Sequence, residues 1–324
     1  MAEDLVALYA ARKTRIGHAF PMAHAMLTEF EEAFPFQETE DQQRAIEEVL
    51  SDMGNEMAMD RLVCGDVGFG KTEVAMRAAC LAALDGKQTL MLVPTTILAQ
   101  QHYETFRTRF AEFPVNVEVI SRFRTQQDQK RIVKDFAEGR VDIFIGTHRL
   151  LGKDILPKDL GLLIVDEEQR FGVTHKEKLK RMRAQVDVVT LSATPIPRTL
   201  HMSLMGVRDL SVINTAPMDR IAIRTRVVKF SDYIIKESIE REVRRGGQVF
   251  FVHNRVENIH TVGSYVQSLL PHIRMGVAHG QMPEKRLEEV MIAFVSGEID
   301  VLISTTIVES GLDIPRANTM IVNN

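Results

Sequence analysis

The stretch RLVCGDVGFGKT, Arg61 to Thr72, leaves this chain few ways to fold. Gly65, Gly70, Lys71 and Thr72 fill every fixed position of the phosphate-loop pattern G-x-x-x-x-G-K-S/T. A short apolar run precedes the pattern and the helix-prone EVAMRAACLAAL follows it, which is the context the pattern requires. Glycines let the main chain curl until successive N–H groups point inward at phosphate oxygens, and the N-terminus of the next helix adds partial positive charge. The pattern assigns Gly65, Asp66, Val67, Gly68, Phe69 and Gly70 to the loop itself. It sends Lys71 to the β- and γ-phosphates of a nucleoside triphosphate and the Thr72 hydroxyl to Mg²⁺.

A strand–loop–helix of this kind implies more strands of the same sheet, and the sequence supplies them. KQTLMLVP, VNVEVI, VDIFIGT, LGLLIVD and VDVVTLSAT read as buried strands separated by helix-length segments, so right-handed crossovers and a parallel sheet covered on both faces are expected. From Arg224 the pattern restarts with TRVVKF, GGQVFFVH, IRMGVAH, IDVLIST and TMIVNN, each read as a strand. A length of 324 residues exceeds what one core comfortably holds. The expected organisation is therefore α/β throughout: a polar helical connector over 1–33, a first lobe over 34–215 and a second over 216–324, with PMDRIAI as linker. The repetition reads as one of architecture and not of sequence.

With hydrophobic residues at 45% and charged residues at 26%, the chain fits neither a disordered nor a membrane class. The start, MAEDLVALYAARK, lacks an apolar signal core, and no run reaches the roughly 18 apolar residues a bilayer demands, so a cytoplasmic location and no membrane partner are expected. Cys64 and Cys80 form no C-x-x-C pair and read as buried small hydrophobes. The net charge of −4 gives no general attraction to polyanions, so nucleic acid would need a local basic surface.

Several stretches carry chemistry. In LGLLIVDEEQ, Asp166 and Glu167 follow directly on an apolar strand, where Asp166 is suited to hold Mg²⁺ and Glu167 to take a proton from an attacking water. In SATPIPRT, Pro195 and Pro197 exclude a helix and fix the hydroxyls of Ser192 and Thr194 in a turn; a plain loop explains them equally well. Thr39 and Gln42 form the T-x-x-Q of a capping box, which accounts for both; the Gln42 amide could also read the N6 and N7 edge of adenine. Positive charge gathers in SRFRT (Arg122, Arg124), GTHR (Thr147, His148, Arg149) and HKEKLKRMR. Each alone reads as a solvated face, but three together suggest a phosphate-backbone track.

Taken in order, T-x-x-Q, GDVGFGKT, PTTILAQQH, GTHRLL, DEEQ, SATPIPRTL, FFVHNRVENI, HGQM and TTIVESGLDIPRAN resemble the motif series of the superfamily 2 helicases and translocases. Their wording is similar to the RecG-like branch, and most of all to the translocase module of the Mfd family of transcription-repair coupling factors. That resemblance covers nearly the whole chain. It implies two RecA-like lobes of P-loop NTPase type, ATP and Mg²⁺ between them, and double-stranded DNA across both, with RNA polymerase engaged through a module outside this chain and the protein a monomer. It further implies Thr39, Gln42 and the phosphate loop on the nucleotide, and Asp313 reaching it from the second lobe. Lys71, Asp166, Glu167 and Gln169 would run hydrolysis, while Ser192 and Thr194 would couple it to DNA. His279, Gly280, Gln281 and Thr305 would touch the duplex, alongside the track read above from Arg122, Arg124, Thr147, His148 and Arg149.

Two departures from that series carry expectations of their own. The acidic motif ends in Gln169 where a histidine is common, so any coupling there runs through an amide that does not titrate. No arginine motif of the form QLRGRVGR follows SGLDIP. The second lobe is therefore expected to be incomplete at its C-terminus, turnover to be weak, and an apolar patch to lie exposed on the last strand. Fork remodelling, as in RecG, and a nucleotide-responsive DNA-binding module with little hydrolysis are the alternatives.

Overall fold

The computed structural model describes residues 17–183, 186–193, 208–217, 223–306 and 312–323. They fall into two units, residues 1–221 and 222–324.

In the first unit the apolar runs become a seven-stranded sheet. Its strands are β1 (Asp60–Gly65), β2 (Gln88–Leu92), β3 (Val117–Ile120), β4 (Ile143–Gly146), β5 (Leu160–Asp166), β6 (Asp187–Ser192) and β7 (Asp209–Ile213). They lie in the order β3-β4-β2-β5-β6-β1-β7 and every pairing is parallel. Parallel strands with helices on both faces have no solvent side. Accordingly Ile143, Phe144 and Ile145, and Leu162 to Val165, are wholly buried. Helices α1 (Ala25–Glu32), α2 (Glu40–Met53), α3 (Lys71–Leu84), α4 (Thr96–Arg109), α5 (Gln126–Ala137) and α6 (Val173–Arg183) pack around it. The capping box at Thr39 is formed in both directions, which starts α2 where the sequence indicates. Helix α1 is tied down by Phe30, which stacks on Phe110 at 4.7 Å and lies 3.9 Å beneath the Arg109 guanidinium.

The second unit has a four-stranded parallel sheet, β11-β8-β10-β9, from β8 (Val249–Val252), β9 (Met275–Ala278), β10 (Val301–Ser304) and β11 (Thr319–Val322). Ile239, Phe251, Val266, Leu270 and Ile303 form its core, with α7 (Asp232–Arg244), α8 (Ile259–Leu269) and α9 (Glu284–Val295) alongside. Met320 and Val322 are exposed on the edge strand β11, where an apolar patch is expected.

Two strand expectations need correction. TRVVKF forms no strand: residues 223–230 have no regular structure, and Ile223, Val227 and Phe230 are exposed. β-Branched residues favour a strand only when a ladder and a packed face are there to receive them. Conversely, DLSVI does form one, β7, a strand the sequence reading does not contain, because β1 offers its free edge and pairs Gly65 with Ile213.

The two units also share one local hydrogen-bond arrangement. The buried Gln88 donates to the carbonyls of Phe136 and Val141, both at 2.8 Å, and Gln248 donates likewise to those of Phe294 and Ile299 at 2.5 and 2.6 Å. Each amide closes the turn after a helix whose terminal glycine, Gly139 or Gly297, has φ near +80°. The sequences there read G-R-V-D-I and G-E-I-D-V, the glycine in each serving the left-handed position after the helix.

Candidate functional site

Because all seven strands run parallel, the loops after β1, β3, β4, β5 and β6 emerge at one edge of the sheet. The loop after β1 is the phosphate-loop stretch. Gly68 and Gly70 adopt φ of +80° and +79°, a region that costs other residues about 1–2 kcal/mol. Gly70 caps α3, and a Cβ there would stand 2.4 Å from Gln42 Nε2. A Cβ on Gly65 would lie 3.1 Å from both Ile213 Cβ and the Ile213 carbonyl, so β7 closes the loop's flank. The Lys71 ammonium donates to the Gly65 and Asp66 carbonyls at 2.6 and 2.9 Å. Burial pulls its pKa below the usual lysine value, opposed by the charges of Asp166, Glu167 and Asp66. Lysine and acidic pair therefore share one electrostatic environment.

Gln42 is engaged on both sides of its amide. Oε1 accepts from the Thr39 N–H at 2.9 Å, and Nε2 donates to the Phe69 carbonyl at 2.9 Å. It braces the phosphate loop from behind, a contact across 27 residues that the capping pattern gives no sign of.

Asp166 ends β5, and β6 alone separates β5 from β1. At about 4.8 Å per strand the phosphate loop and the acidic pair lie roughly 10 Å apart at the sheet edge. Glu167 is the one non-glycine residue with positive φ among the described residues, at 48°, and it is 4% exposed. Its main chain is pinned by an N–H donated to Leu191 O at 3.0 Å, and its Oε1 accepts the Ala193 N–H at 2.9 Å. Gln169 donates to Glu167 Oε2, so its amide bonds the neighbouring carboxylate directly. Ser192 is buried on β6 opposite Cys64, one residue short of the phosphate loop. Thr194 lies outside the described residues.

A histidine enters this site from elsewhere. His102 on α4 donates from Nε2 to Asp166 Oδ2 at 3.0 Å, with both side chains about nine-tenths buried. The sequence contains its signal, PTTILAQQH, but nothing there names a partner 64 residues away. Behind the acidic pair, Arg183 donates to Glu168 at 2.7 Å, while Arg208 pairs with Asp60 at 2.9 Å and reaches Glu168 at 3.4 Å. Burial raises the Glu168 carboxyl, but Arg183 and Arg208 more than offset it and hold it below the usual value. This network secures the motif's third acid structurally and was not visible in the sequence.

The basic turns after β3 and β4 lie at the same edge, though their charges are partly answered. Arg149 makes a two-pronged pair with Asp154, and His148 stacks on His175 at 5.0 Å. Arg124 approaches Glu118 at 3.5 Å and donates to the Tyr103 hydroxyl at 3.4 Å; Arg122 is exposed. In the second unit His279 meets His260 edge-on at 5.5 Å, Gly280 and Gln281 are exposed, and Thr305 is buried with its N–H on the Ala278 carbonyl. Asp313 is exposed.

The oxygen donors on hand, the Thr72 hydroxyl and the Asp166 carboxylate, are hard ligands of the type Mg²⁺ takes. Among the described residues no three His, Cys, Asp or Glu side chains form a metal cage. Mg²⁺ suits such a sparse set, since it keeps several waters and binds through one or two protein groups plus substrate phosphates. Cys64 and Cys80 are both buried and free; burial pushes the Cys80 thiol up to about 12. No helix among the described residues is long and apolar enough to cross a membrane.

Comparison with known proteins extends this picture. The family model for DEAD/DEAH box helicases matches residues 39–203, and that for the helicase conserved C-terminal domain matches 229–324. The chain is 58% identical over 322 residues to the transcription-repair-coupling factor of Bacillus subtilis (strain 168), and 59% identical over 323 residues to that of Myxococcus xanthus. These matches take in 99% and 100% of the chain but 27% of each relative, so the chain spans about a quarter of the length of the curated relatives it matches. A solved structure of RecG bound to a three-way DNA junction superposes with a TM-score of 0.80 at 34% identity, over 98% of this chain and 44% of that one. Saccharomyces cerevisiae Dbp5 bound to RNA and ADP BeF3 superposes at 0.63 with 15% identity over 91% of this chain and 77% of that one, a likeness of fold alone.

Proposed function

Because the chain belongs to the DEAD/DEAH box helicase family, whose model spans half of it, we propose that it is the ATP-driven double-stranded-DNA translocase core of a transcription-repair coupling factor. One observation carries the catalytic part of that reading. The phosphate loop and the acidic pair stand at the same sheet edge with a single strand between them, and Lys71 feels the charge of both Asp166 and Glu167. The identity of more than half over nearly the whole chain to two transcription-repair-coupling factors supports the rest.

In this reading the main-chain amides of Gly65 to Gly70 and the α3 N-terminus take the phosphates of ATP, and Lys71 neutralises their terminal charge. Thr72 and Asp166 would hold Mg²⁺, whose charge would offset that of the phosphates. Glu167, fixed by Leu191 and Ala193, accepts the proton of the attacking water. The Glu167–Ala193 bond joins the acidic motif to SATPIPRT, so Ser192, Thr194 and Gln169 are proposed to pass nucleotide state to DNA. The basic turns after β3 and β4, with His279, Gly280, Gln281 and Thr305, are proposed to hold the duplex backbone. RNA polymerase would be engaged by a module outside these residues, and the site of action would be the bacterial cytoplasm.

The experiment is phosphate release from ATP with and without linear duplex DNA, single-stranded DNA and a three-way junction. Stimulation by linear duplex is expected. The structural likeness to junction-bound RecG favours fork remodelling as the second reading, and stimulation confined to the junction would select it. No stimulation by any of the three would remove DNA translocation altogether.

A further inference from the structure

In the acidic motif Gln169 spends its amide on Glu167. Asp166 is instead met by a side chain from another element, His102. Resting on the reading of Asp166 as a Mg²⁺ ligand, we propose that His102 is the positioning residue for that carboxylate: its Nε2–H engages Oδ2, so that Oδ1 would be left for the metal.

Three observations carry this. The contact is short and shielded, at 3.0 Å with both side chains about nine-tenths buried, so water does not compete well for it. His102 is itself fixed: it lies on α4, whose start is capped by Thr95 and whose inner face buries Ile97, Leu98, Tyr103 and Phe106, and its ring stands edge-on to Phe106 at 6.4 Å. Asp166 sits at the last position of β5, where pairing with Leu191 of β6 holds its main chain and His102 holds its side chain. A ligating carboxylate that is hydrogen-bonded from a second residue is held in one orientation, and loss of such a partner typically costs about 10–100-fold in metal affinity. The next residue on α4, Tyr103, accepts from Arg124 of the basic turn after β3. The same helix therefore touches both the carboxylate and the proposed DNA track.

The test is the Mg²⁺ dependence of binding of a fluorescent ATP analogue to the full 324-residue chain, a readout that needs no turnover. His102→Ala is expected to raise the Mg²⁺ concentration at half-saturation about 10-fold or more. His102→Gln, which keeps an N–H donor of similar reach, is expected to restore it to within about three-fold of the parent. Circular dichroism of each variant checks that the fold is retained, and the glutamine variant serves if the alanine one unfolds. If His102→Ala matches the parent while Asp166→Asn is impaired, the positioning role is wrong and the metal reading stands. If the glutamine and alanine variants are equally impaired, the residue acts by packing and the proposal fails. If Asp166→Asn itself leaves the Mg²⁺ dependence unchanged, the metal reading falls and takes the proposal with it.

Discussion

Glu167 Oε1 accepts the main-chain N–H of Ala193 at 2.9 Å, across 26 residues and between two neighbouring strands. The side chain proposed as general base is thereby locked to the segment proposed to transmit its state. A glutamine retains an acceptor oxygen for Ala193 but cannot take a proton. Glu167→Gln is expected to bind ATP with affinity near that of the parent and to lose about 10²–10⁴-fold in hydrolysis. Nucleotide titration alongside single-turnover phosphate release measures both, and unchanged hydrolysis would assign the base elsewhere.

The Lys71 ammonium donates to both loop carbonyls, Gly65 and Asp66. Replacing it by alanine removes a charge-assisted contact of about 1.5–3 kcal/mol. Nucleotide affinity should then drop by at least about 10-fold. Calorimetric titration with ATP and Mg²⁺ reads the loss; retained affinity would count against the phosphate-loop assignment.

The two left-handed glycines of the loop separate backbone strain from crowding. Both have φ near +80°, but a Cβ at Gly68 meets nothing within 4 Å, whereas one at Gly70 runs into Gln42. Gly68→Ala should cost about 1–2 kcal/mol of stability. Gly70→Ala should cost more and also weaken ATP binding, because Gln42 must release Phe69. Urea unfolding of the pair decides it: equal costs would mean that the Gln42 brace carries no weight.

Asp41 ties α2 to the residues after β7. It accepts from the Asn214 and Thr215 N–H groups at 2.9 Å and from the Thr215 hydroxyl at 2.8 Å, and Thr215 chiefly holds its carboxyl down at about 2, from an ordinary 3.8. The folded value is the lower one, so the ionised form favours folding. Its stabilisation is complete above the ordinary value and fades as pH falls from about 4 to about 2. Parent and Asp41→Asn should therefore differ in unfolding midpoint by a constant amount between pH 5 and 7. Below about pH 4 the gap should shrink. A gap that persists at about pH 2 would show that charge is not its source.

What the sequence determined by itself was everything that local chemistry and short spacing can fix. Gly65, Gly70, Lys71 and Thr72 declare a phosphate loop because no other common structure needs those residues so close together. The capping box at Thr39 and Gln42 declares a helix start because its bonds span three residues. Buried parallel strands declare themselves by unbroken apolar runs. Tertiary structure alone decided the contacts whose partners are far apart in the chain. His102 with Asp166, Gln42 with Phe69, Glu167 with Ala193 and Gly65 with Ile213 each depend on which strands lie side by side. The same physics explains the two misread strands: TRVVKF has the residues of a strand and no ladder, while DLSVI has a ladder waiting at β1. A strand's hydrogen bonds belong to its neighbour, so no stretch of sequence settles them alone.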